Sequence, residues 1–308
     1  MREQLVGNPD PARMASLQRM NEGTALVQAG RRRAGADALL DAVRIDPDNR
    51  DAWLNLGANH YNAGRFLDAR RAFERAAEGH GDASTGEVAH AMALALVGLA
   101  GESEDPEAAD AMVHEALSWL EGEASSLAAA QLLAGTLHEE LGALTAANRA
   151  YRRAIKLDPT DARAYARLGA LYADMGFFAE AIEVLRTGTR LSATPAIVWT
   201  AMGRAQAMAD DLPGAAESYR QALVLDPGDT DATFGLGMAL GELGEIDEAV
   251  GLLERYLQAE PDDRRAHLRA AEWRLSQLHV EQLDRKPSAP SPPPTPFAPA
   301  AAGSTGRR

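Results

Sequence analysis

Histidines and acidic residues are the side chains of this 308-residue chain whose types and spacing could support catalysis or metal binding. His138-Glu139-Glu140 begins like the zinc-binding motif HExxH, in which a second histidine follows four residues after the first, but Gly142 occupies that position. The seven histidines can be metal ligands or residues that pack between helices, and the absence of a ligand motif favours packing, at His60 and His138 in particular. Acidic pairs such as Asp210-Asp211 fall at predicted turns, where helix capping accounts for them.

The glycine-rich stretch from Gly235 to Gly241 is the other candidate for chemistry. Its spacing does not match a phosphate-binding loop, and no strand is predicted before it. No serine nucleophile motif occurs in the sequence either. The sequence therefore predicts no catalytic residue, no metal site and no cofactor, and we expect that the protein is not an enzyme.

Composition narrows the remaining classes of function. The net charge is −14 at pH 7, which argues against nucleic acid or an anionic membrane as partner, because both attract basic surfaces. The chain has no cysteine, so disulfides and thiolate chemistry are excluded. The longest uncharged apolar run, Ala91 to Ala100, is far shorter than the ~20 residues of a membrane-spanning helix. With no signal-peptide core at its start, the sequence predicts a cytoplasmic protein without membrane insertion.

Glycine recurs along the chain with a period of 34 residues. The series is Gly23, Gly57, Gly135, Gly169, Gly203 and Gly237, and its one long interval is 78, which is twice 34 plus ten. Loop prolines in RIDPDN, KLDPTD, VLDPGD and QAEPDD fall at Pro47, Pro159, Pro227 and Pro261, and their spacing demands the same ten extra residues. Two independent series in one register predict a repeat protein.

Each unit carries the pattern aromatic-x-x-Leu-Gly-x-x-Tyr, then Ala-x-x-x-aromatic, then proline. Good copies are Trp53, Leu56, Gly57, His60, Ala69 and Phe73; Tyr165, Leu168, Gly169, Tyr172, Ala181 and Leu185; and Trp199, Met202, Gly203, Ala215, Tyr219 and Pro227. The pattern resembles the tetratricopeptide repeat (TPR) family over residues 16–263. The resemblance implies an all-α fold, a right-handed α-solenoid of about seven helix-turn-helix repeats.

The predicted organisation has four parts. An N-terminal segment covers residues 1–15, seven repeats cover 16–263, a capping helix covers 264–285, and a disordered proline-rich tail covers 286–308. The repeats start near residues 16, 50, 84, 128, 162, 196 and 230. In the tail, Pro290-x-x-Pro293 and Pro296-x-x-Pro299 are alternatives to plain disorder, as docking motifs.

The third unit holds the ten surplus residues. Ser84-x-x-Glu87 predicts a capping box that opens a helix to about Ala100, and Pro106 predicts the start of a second helix that runs through Leu120. The surplus indicates either an irregular repeat with longer loops, which we favour, or a hinge or recognition loop.

The repeated glycine needs a packing reason, because glycine inside a helix costs about 1 kcal/mol relative to alanine. We expect it to face the small residue of the second helix, so that the two helices approach closely. These small residues are Ala69, Ala147, Ala181, Ala215 and Ala249.

The resemblance implies that the first helix of each pair lines a groove that binds a peptide. By position, the groove-lining residues are Leu54, Asn55, Ala58, Leu132, Leu133, Thr136, Arg163, Ala166, Arg167, Ala170, Thr200, Ala201, Arg204, Phe234 and Met238. Arg163, Arg167 and Arg204 make this groove locally basic, which suits an acidic or amphipathic segment. The alternatives are that these arginines are only solvated, or that they clamp a terminal carboxylate as in chaperone adaptors of the family. That clamp is incomplete here, because Leu132, Leu133 and Thr136 stand where asparagine is expected.

Three classes of function remain open. The first is a non-catalytic scaffold or adaptor that binds a protein segment in the groove and can assemble a complex or associate with itself. The second is a regulatory or targeting subunit, of the co-chaperone kind, for an enzyme or an assembly or secretion machine. An enzyme built on a helical solenoid is the third, and the sequence offers no set of titratable groups for it. The identity of the partner is not encoded in the repeat pattern.

Overall fold

The computed structural model describes residues 10–259 and 265–285, where the chain is an α-solenoid of antiparallel helix pairs without strands. Fifteen helices occur in these ranges: α1 (Pro11–Gln28), α2 (Arg32–Ile45), α3 (Arg50–Asn62), α4 (Phe66–Glu78), α5 (Thr85–Glu102), α6 (Pro106–Glu121), α7 (Ala128–Glu140), α8 (Leu144–Leu157), α9 (Ala162–Asp174), α10 (Phe178–Leu191), α11 (Ala196–Met208), α12 (Leu212–Leu225), α13 (Thr230–Leu243), α14 (Ile246–Gln258) and α15 (Arg265–Arg285). Within the same ranges, no helix has both the length and the hydropathy to cross a membrane.

The helices form two layers. Each helix packs against its neighbours in sequence, and the odd-numbered helices also contact one another in the series α1–α3–α5 and α7–α9–α11–α13–α15. The even-numbered helices form the outer layer. The core between the layers consists largely of alanine and leucine, with a few larger side chains such as Phe73, Tyr151 and Tyr256. The odd-numbered helices therefore form the inner layer of the solenoid.

Aspartate and asparagine side chains set where several first helices begin. Asn49, Asp161 and Asp229 are the N-cap residues of α3, α9 and α13, and each side chain accepts a hydrogen bond from a backbone N–H of the first turn. The helix before ends at an Asp-Pro step, where Asp158, next to Pro159, has an extended backbone. These loops therefore end one helix and cap the next.

Helix starts follow the 34-residue period. Helices α3, α7, α9, α11 and α13 begin at the residues numbered 50, 128, 162, 196 and 230. The first helix begins earlier than expected, at Pro11, because the Asp10 side chain caps it and proline suits the first helical position. Residues 11–15, assigned to an N-terminal segment, are thus part of α1. The proposed tail, residues 286–308, and residues 1–9 lie outside the described residues.

The repeat glycines pack against a large side chain of the paired helix. A Cβ built on Gly169 would lie 2.4 Å from Cγ of Leu185, which is too close for any side chain. The same relation, always to the residue 16 positions later, occurs in Gly23 and Leu39, Gly57 and Phe73, Gly135 and Tyr151, Gly203 and Tyr219, and Gly237 and Leu253. This corrects the expectation that the glycine faces the small residue of the second helix. The alanine one turn earlier, Ala181 for example, is fully buried, while the large side chain fills the space that the glycine leaves.

The surplus residues of the third unit mainly lengthen its helices. Helices α5 and α6 have 18 and 16 residues, whereas α7 and α8 of the next repeat have 13 and 14. Ser84 and Glu87 form the predicted capping box, and Pro106 stands at the start of α6. Both of these predictions are confirmed, while the longer loops expected of the unit are mostly replaced by extra helical turns.

Candidate binding groove

A cavity of about 1180 Å³ runs along the inner layer. One face of each of α7, α9, α11 and α13 lines it, with α5 at one end and His267 of α15 at the other. Most of the predicted groove residues line this cavity, namely Leu132, Leu133, Thr136, Arg163, Ala166, Arg167, Ala170, Thr200, Ala201, Arg204, Phe234 and Met238. The other three, Leu54, Asn55 and Ala58, lie on α3 and outside the cavity, because α5 stands between α3 and α7.

Small side chains form the middle of the groove. Ala166 and Ala170 lie one turn apart on α9, and Ala201 lies on α11, the next helix of the inner layer. Larger apolar side chains stand on either side, with Leu132 and Leu133 on α7, and Phe234 and Met238 on α13. The lining of the groove is thus largely apolar, and its smallest side chains lie at its centre.

The glycine-rich stretch of α13 has a packing role. A Cβ on Gly235 would lie 2.3 Å from Cζ of Tyr219, and a Cβ on Gly203 would lie 2.8 Å from the same ring, so Tyr219 fits between two glycines of successive repeats. Gly241 makes room in the same way for Arg274 of α15. Tyr219, although it belongs to the outer helix α12, thereby reaches the groove.

The three groove arginines differ in whether a carboxylate of the protein pairs with them. Arg163 donates from Nε and Nη2 to the two carboxylate oxygens of Asp161, over 3.0 and 2.8 Å. Arg204 donates to Asp174 of the preceding repeat over 2.5 Å. Arg167 is exposed and has no hydrogen bond or ion pair with any described residue. The groove predicted to be locally basic therefore has one uncompensated cation among these three arginines.

The Asp161–Arg163 pair also shifts the titration of both groups. Hydrogen bonds from the Arg163 guanidinium lower the pKa of the Asp161 carboxyl, and the same hydrogen bonds raise the pKa of Arg163. Each partner stabilises the charged form of the other, so the pair stays ionised over the whole range near neutral pH.

Histidines stand at the two ends of the groove. His90 of α5 is partly buried, and burial lowers its pKa, while its Nδ1 is enclosed with no hydrogen-bond partner among the described residues. His267 of α15 stacks on Phe234, with ring centroids 4.7 Å apart and an angle of 15° between the rings. His90 is therefore neutral at pH 7, and the α5 end of the groove is uncharged there.

Known sequence families can be compared with this geometry. Sequence models of tetratricopeptide repeats match residues 20–84, 137–176, 167–230 and 206–272. The chain belongs to the tetratricopeptide repeat family. Such repeats generally mediate protein–protein interaction and the assembly of complexes, and proteins built from them are generally non-catalytic. The unmatched stretch between these TPR segments, residues 85–136, contains the lengthened helices α5 and α6.

Two curated relatives match part of the TPR array. The general transcriptional corepressor ssn6 of Schizosaccharomyces pombe is 28% identical over 115 residues, and the general transcriptional corepressor trfA of Dictyostelium discoideum is 26% identical over 117 residues. Each match covers 37% of this chain, but 10% and 8% of the two relatives. The chain thus spans about a tenth of the length of the curated relatives that it matches.

Solved structures share the TPR fold. A structure of the APC/C hetero-tetramer Cut9-Hcn1 superimposes with a TM-score of 0.57 and 17% identity, over 87% of this chain and 53% of that one. A tetratricopeptide repeat protein from Parabacteroides merdae gives a TM-score of 0.59 and 15% identity, over 86% of this chain and 99% of that one. At these identities the likeness concerns the fold.

Several TPR groove residues were missed by sequence reasoning. Ile197 and Met208 on α11, and Asp231 and Glu242 on α13, extend the predicted faces by one helical turn. The helical spacing of three and four residues was a sufficient signal for these. His90 and Leu94 of α5, and Leu212 and Tyr219 of α12, also line the groove. The sequences of α5 and α12 carry no motif that places these residues in the groove.

No metal site can be assigned among the described residues. No group of three or more His, Asp or Glu side chains in the described ranges is arranged to hold a metal ion. His138 pairs with Glu121 of α6 over 2.8 Å, which joins the irregular unit to the next repeat. His60 is partly buried, and burial lowers its pKa. Both histidines thus make helix-packing contacts in the TPR array.

Proposed function

We propose that the chain is a scaffold or adaptor that binds a segment of a partner protein in the groove formed by α7, α9, α11 and α13. The observation that carries this proposal is the continuous cavity of about 1180 Å³ along four successive repeats. Pockets for small ligands typically measure 300–1,000 Å³. A cavity above that range, open along a row of helices, suits a peptide better than a cofactor.

The lining of the groove favours an amphipathic segment with at least one acidic side chain. Ala166, Ala170 and Ala201 leave room for a peptide backbone, and the apolar side chains on either side offer contacts for apolar residues of the partner. Arg167 is the groove arginine without a carboxylate partner among the described residues. A carboxylate of the partner would form a charge-assisted hydrogen bond with it.

An internal acidic residue suits this groove better than a terminal carboxylate. A clamp for the chain terminus needs several donors converging from neighbouring repeats, but Leu132 and Leu133 of α7 offer none. Thr136 of α7 donates its hydroxyl hydrogen to the backbone oxygen of Leu132 over 3.2 Å, so its donor is already used. A single guanidinium is sufficient for one side-chain carboxylate.

A second candidate is a regulatory or targeting subunit of a larger assembly. The matched relatives are named as transcriptional corepressors, and one structural match is part of a named hetero-tetramer. These matches are partial or concern the fold, so they support assembly in general and favour no pathway. In this role the groove would hold one component while another surface contacts a second.

The test is affinity purification of the tagged chain from its native cell, followed by cross-linking mass spectrometry. The proposal expects cross-links from the partner to the inner-layer helices α7, α9, α11 and α13. Arg167→Glu should lose the partner, whereas Arg153→Glu should keep it, because Arg153 is also exposed but lies on the outer-layer helix α8. Cross-links confined to the outer layer would contradict the proposal.

A further inference from the structure

The last helix, α15, occupies the place of the first helix of an eighth repeat. Ala271 follows Gly237 by one period of 34 residues, and α15 contacts both α13 and α14. Its inner side is well packed: Ala271 and Leu278 are fully buried in the core shared with α13 and α14. The helix is thus held in the register of the array.

The outer side of α15 exposes three large apolar side chains among the polar residues Arg269, Glu272, Ser276 and His279. Trp273 is 60% exposed, and Val280 and Leu283 are equally open. The residues one and two periods before Trp273, which are Ala239 and Ala205, are both buried. In those repeats the helices of the following repeat cover the small alanine. In α15 the same position holds Trp273, a large aromatic side chain whose exposure to water is unfavourable. Such a face indicates an interaction site.

The composition of residues 286–308 disfavours the missing second helix. Residues 286–308 contain seven of the sixteen prolines of the chain. Proline in a helix interior removes a hydrogen bond and clashes with the preceding turn, at a cost of about 3 kcal/mol or more. The sequence that follows α15 therefore predicts no second helix to complete an eighth repeat.

We propose that the outer face of α15 is covered by the same face of a second copy of this chain, in an antiparallel two-fold dimer. Trp273 and Val280 lie on either side of the uncharged pair Ser276 and Gln277. A two-fold axis at this pair places Trp273 of each copy beside Val280 of the other. The face thus complements itself, as a two-fold interface requires.

Charge favours this pairing over other contacts between copies. The chain has a net charge of −14, so most pairs of surfaces repel each other. On the outer side of α15 the described charges next to Trp273 are Arg269 and Glu272, which offset each other, so two copies of this face meet without that penalty. The opposite end of the array is less suited, because α1 exposes mainly polar residues such as Gln18, Arg19 and Glu22. This arrangement closes as a dimer and does not extend into a filament.

The size of the contact predicts a reversible dimer. A helix of 21 residues is about 31 Å long. A contact limited to one such helix from each copy is small beside the roughly 1,200–2,000 Å² of stable specific interfaces. Tryptophan is enriched among the residues that dominate binding, so truncating it is expected to abolish association.

Sedimentation equilibrium between 5 and 200 μM tests the proposal. The apparent mass of the full chain should rise with concentration from 32.8 kDa towards twice that value. Trp273→Glu should remain at the monomer mass with unchanged helical circular dichroism. Val224→Glu is the matched control, since Val224 is 74% exposed on α12, and it should dimerise like the parent chain.

A cysteine test locates the axis, because the chain has no cysteine of its own. Ser276→Cys should form a disulfide-linked dimer on mild oxidation much faster than Val224→Cys. Equal rates, or a full chain that stays monomeric at 200 μM, would overturn the proposal. A chain that dimerises only after removal of residues 286–308 would also overturn it, because that segment would then be the occupant of the face.

Discussion

Gly135 of α7 packs against the ring of Tyr151 of α8 so closely that a Cβ on Gly135 would lie 2.4 Å from Cε1 of the ring. Tyr151 is fully buried, and its hydroxyl donates to Glu139 of α7 over 2.6 Å. Packing against Gly135 and the hydrogen bond to Glu139 together hold the Tyr151 ring in place. Burial, together with the hydrogen bond to Glu139, raises the pKa of Tyr151 far above its ordinary value.

Gly135→Ala should destabilise the protein although alanine is the better helix former. Alanine improves the helix propensity by about 1 kcal/mol relative to glycine. Forcing its methyl group into a filled site costs about 1–3 kcal/mol. The displaced Tyr151 ring would also strain its hydrogen bond to Glu139. We expect a net loss of about 1–2 kcal/mol in the free energy of unfolding, measured by urea denaturation. The control is Gly251→Ala on α14, where no atom lies within 4 Å, and which should gain up to about 1 kcal/mol. Stabilisation by both substitutions would contradict the packing account.

Asp210 stands in a backbone conformation that glycine adopts elsewhere in the array. Its φ is 62°, and the turns one period before and after it contain Gly176 and Gly244, with φ of 81° and 80°. Asp210→Val should lower the free energy of unfolding by about 1–2 kcal/mol, because a β-branched residue is strained in this region. Asp210→Gly should lower it by less or raise it. An equal effect of the two substitutions in thermal denaturation would show that backbone strain at this turn is unimportant.

His90 should make the protein less stable on mild acidification. Burial lowers its pKa below that of the unfolded chain, near 6.5, so the unfolded state takes up a proton first. The stability of the folded state is therefore undiminished by this group above pH 6.5 and falls as the pH drops through the folded pKa. His90→Leu also removes an enclosed Nδ1 that lacks a hydrogen-bond partner among the described residues. We therefore expect His90→Leu to unfold at higher urea than the parent chain, by an amount that grows between pH 7 and pH 5. A difference that does not change with pH would contradict this assignment.

The repeat pattern predicted those parts of the fold that depend on residues close together in the sequence. Asn49 and Asp161 could be assigned as caps because an acid or amide side chain after proline satisfies the first backbone N–H groups locally. The partner of Gly169 could not be assigned, because the register between two helices depends on their crossing geometry, which periodicity does not contain. The length of α5 was predicted to within two residues, because the capping box of Ser84 and Glu87 starts the helix and the helical pattern runs to about Ala100.

The groove was predictable in position but not in charge. Successive first helices repeat the same face every 34 residues, so residues such as Arg167 and Phe234 could be placed on one side of the array. The Arg163–Asp161 pair joins residues two positions apart, so it could be predicted from the sequence. The Arg204–Asp174 pair joins residues 30 positions apart in two repeats, and only the three-dimensional structure brings them together.

Asp174 should limit how strongly the groove attracts an acidic segment. Asp174→Asn leaves Arg204 without its carboxylate partner and so adds a second uncompensated cation next to Arg167. The pair is exposed, so the free energy of unfolding should change by less than about 1 kcal/mol. The affinity for an acidic partner segment should rise several-fold at low salt and return towards that of the parent chain at high salt. An affinity that is unchanged at low salt would show that Arg204 does not face the bound segment.

The central claim is that a partner segment binds in the groove through Arg167. Its most direct test is fluorescence anisotropy of a labelled peptide taken from the partner region that cross-links to the inner layer. Titrations compare the parent chain with Arg167→Glu and the outer-layer control Arg153→Glu at the same ionic strength. We expect Arg167→Glu to weaken binding at least tenfold and Arg153→Glu to bind like the parent chain. Equal affinities for the parent chain and Arg167→Glu would contradict it.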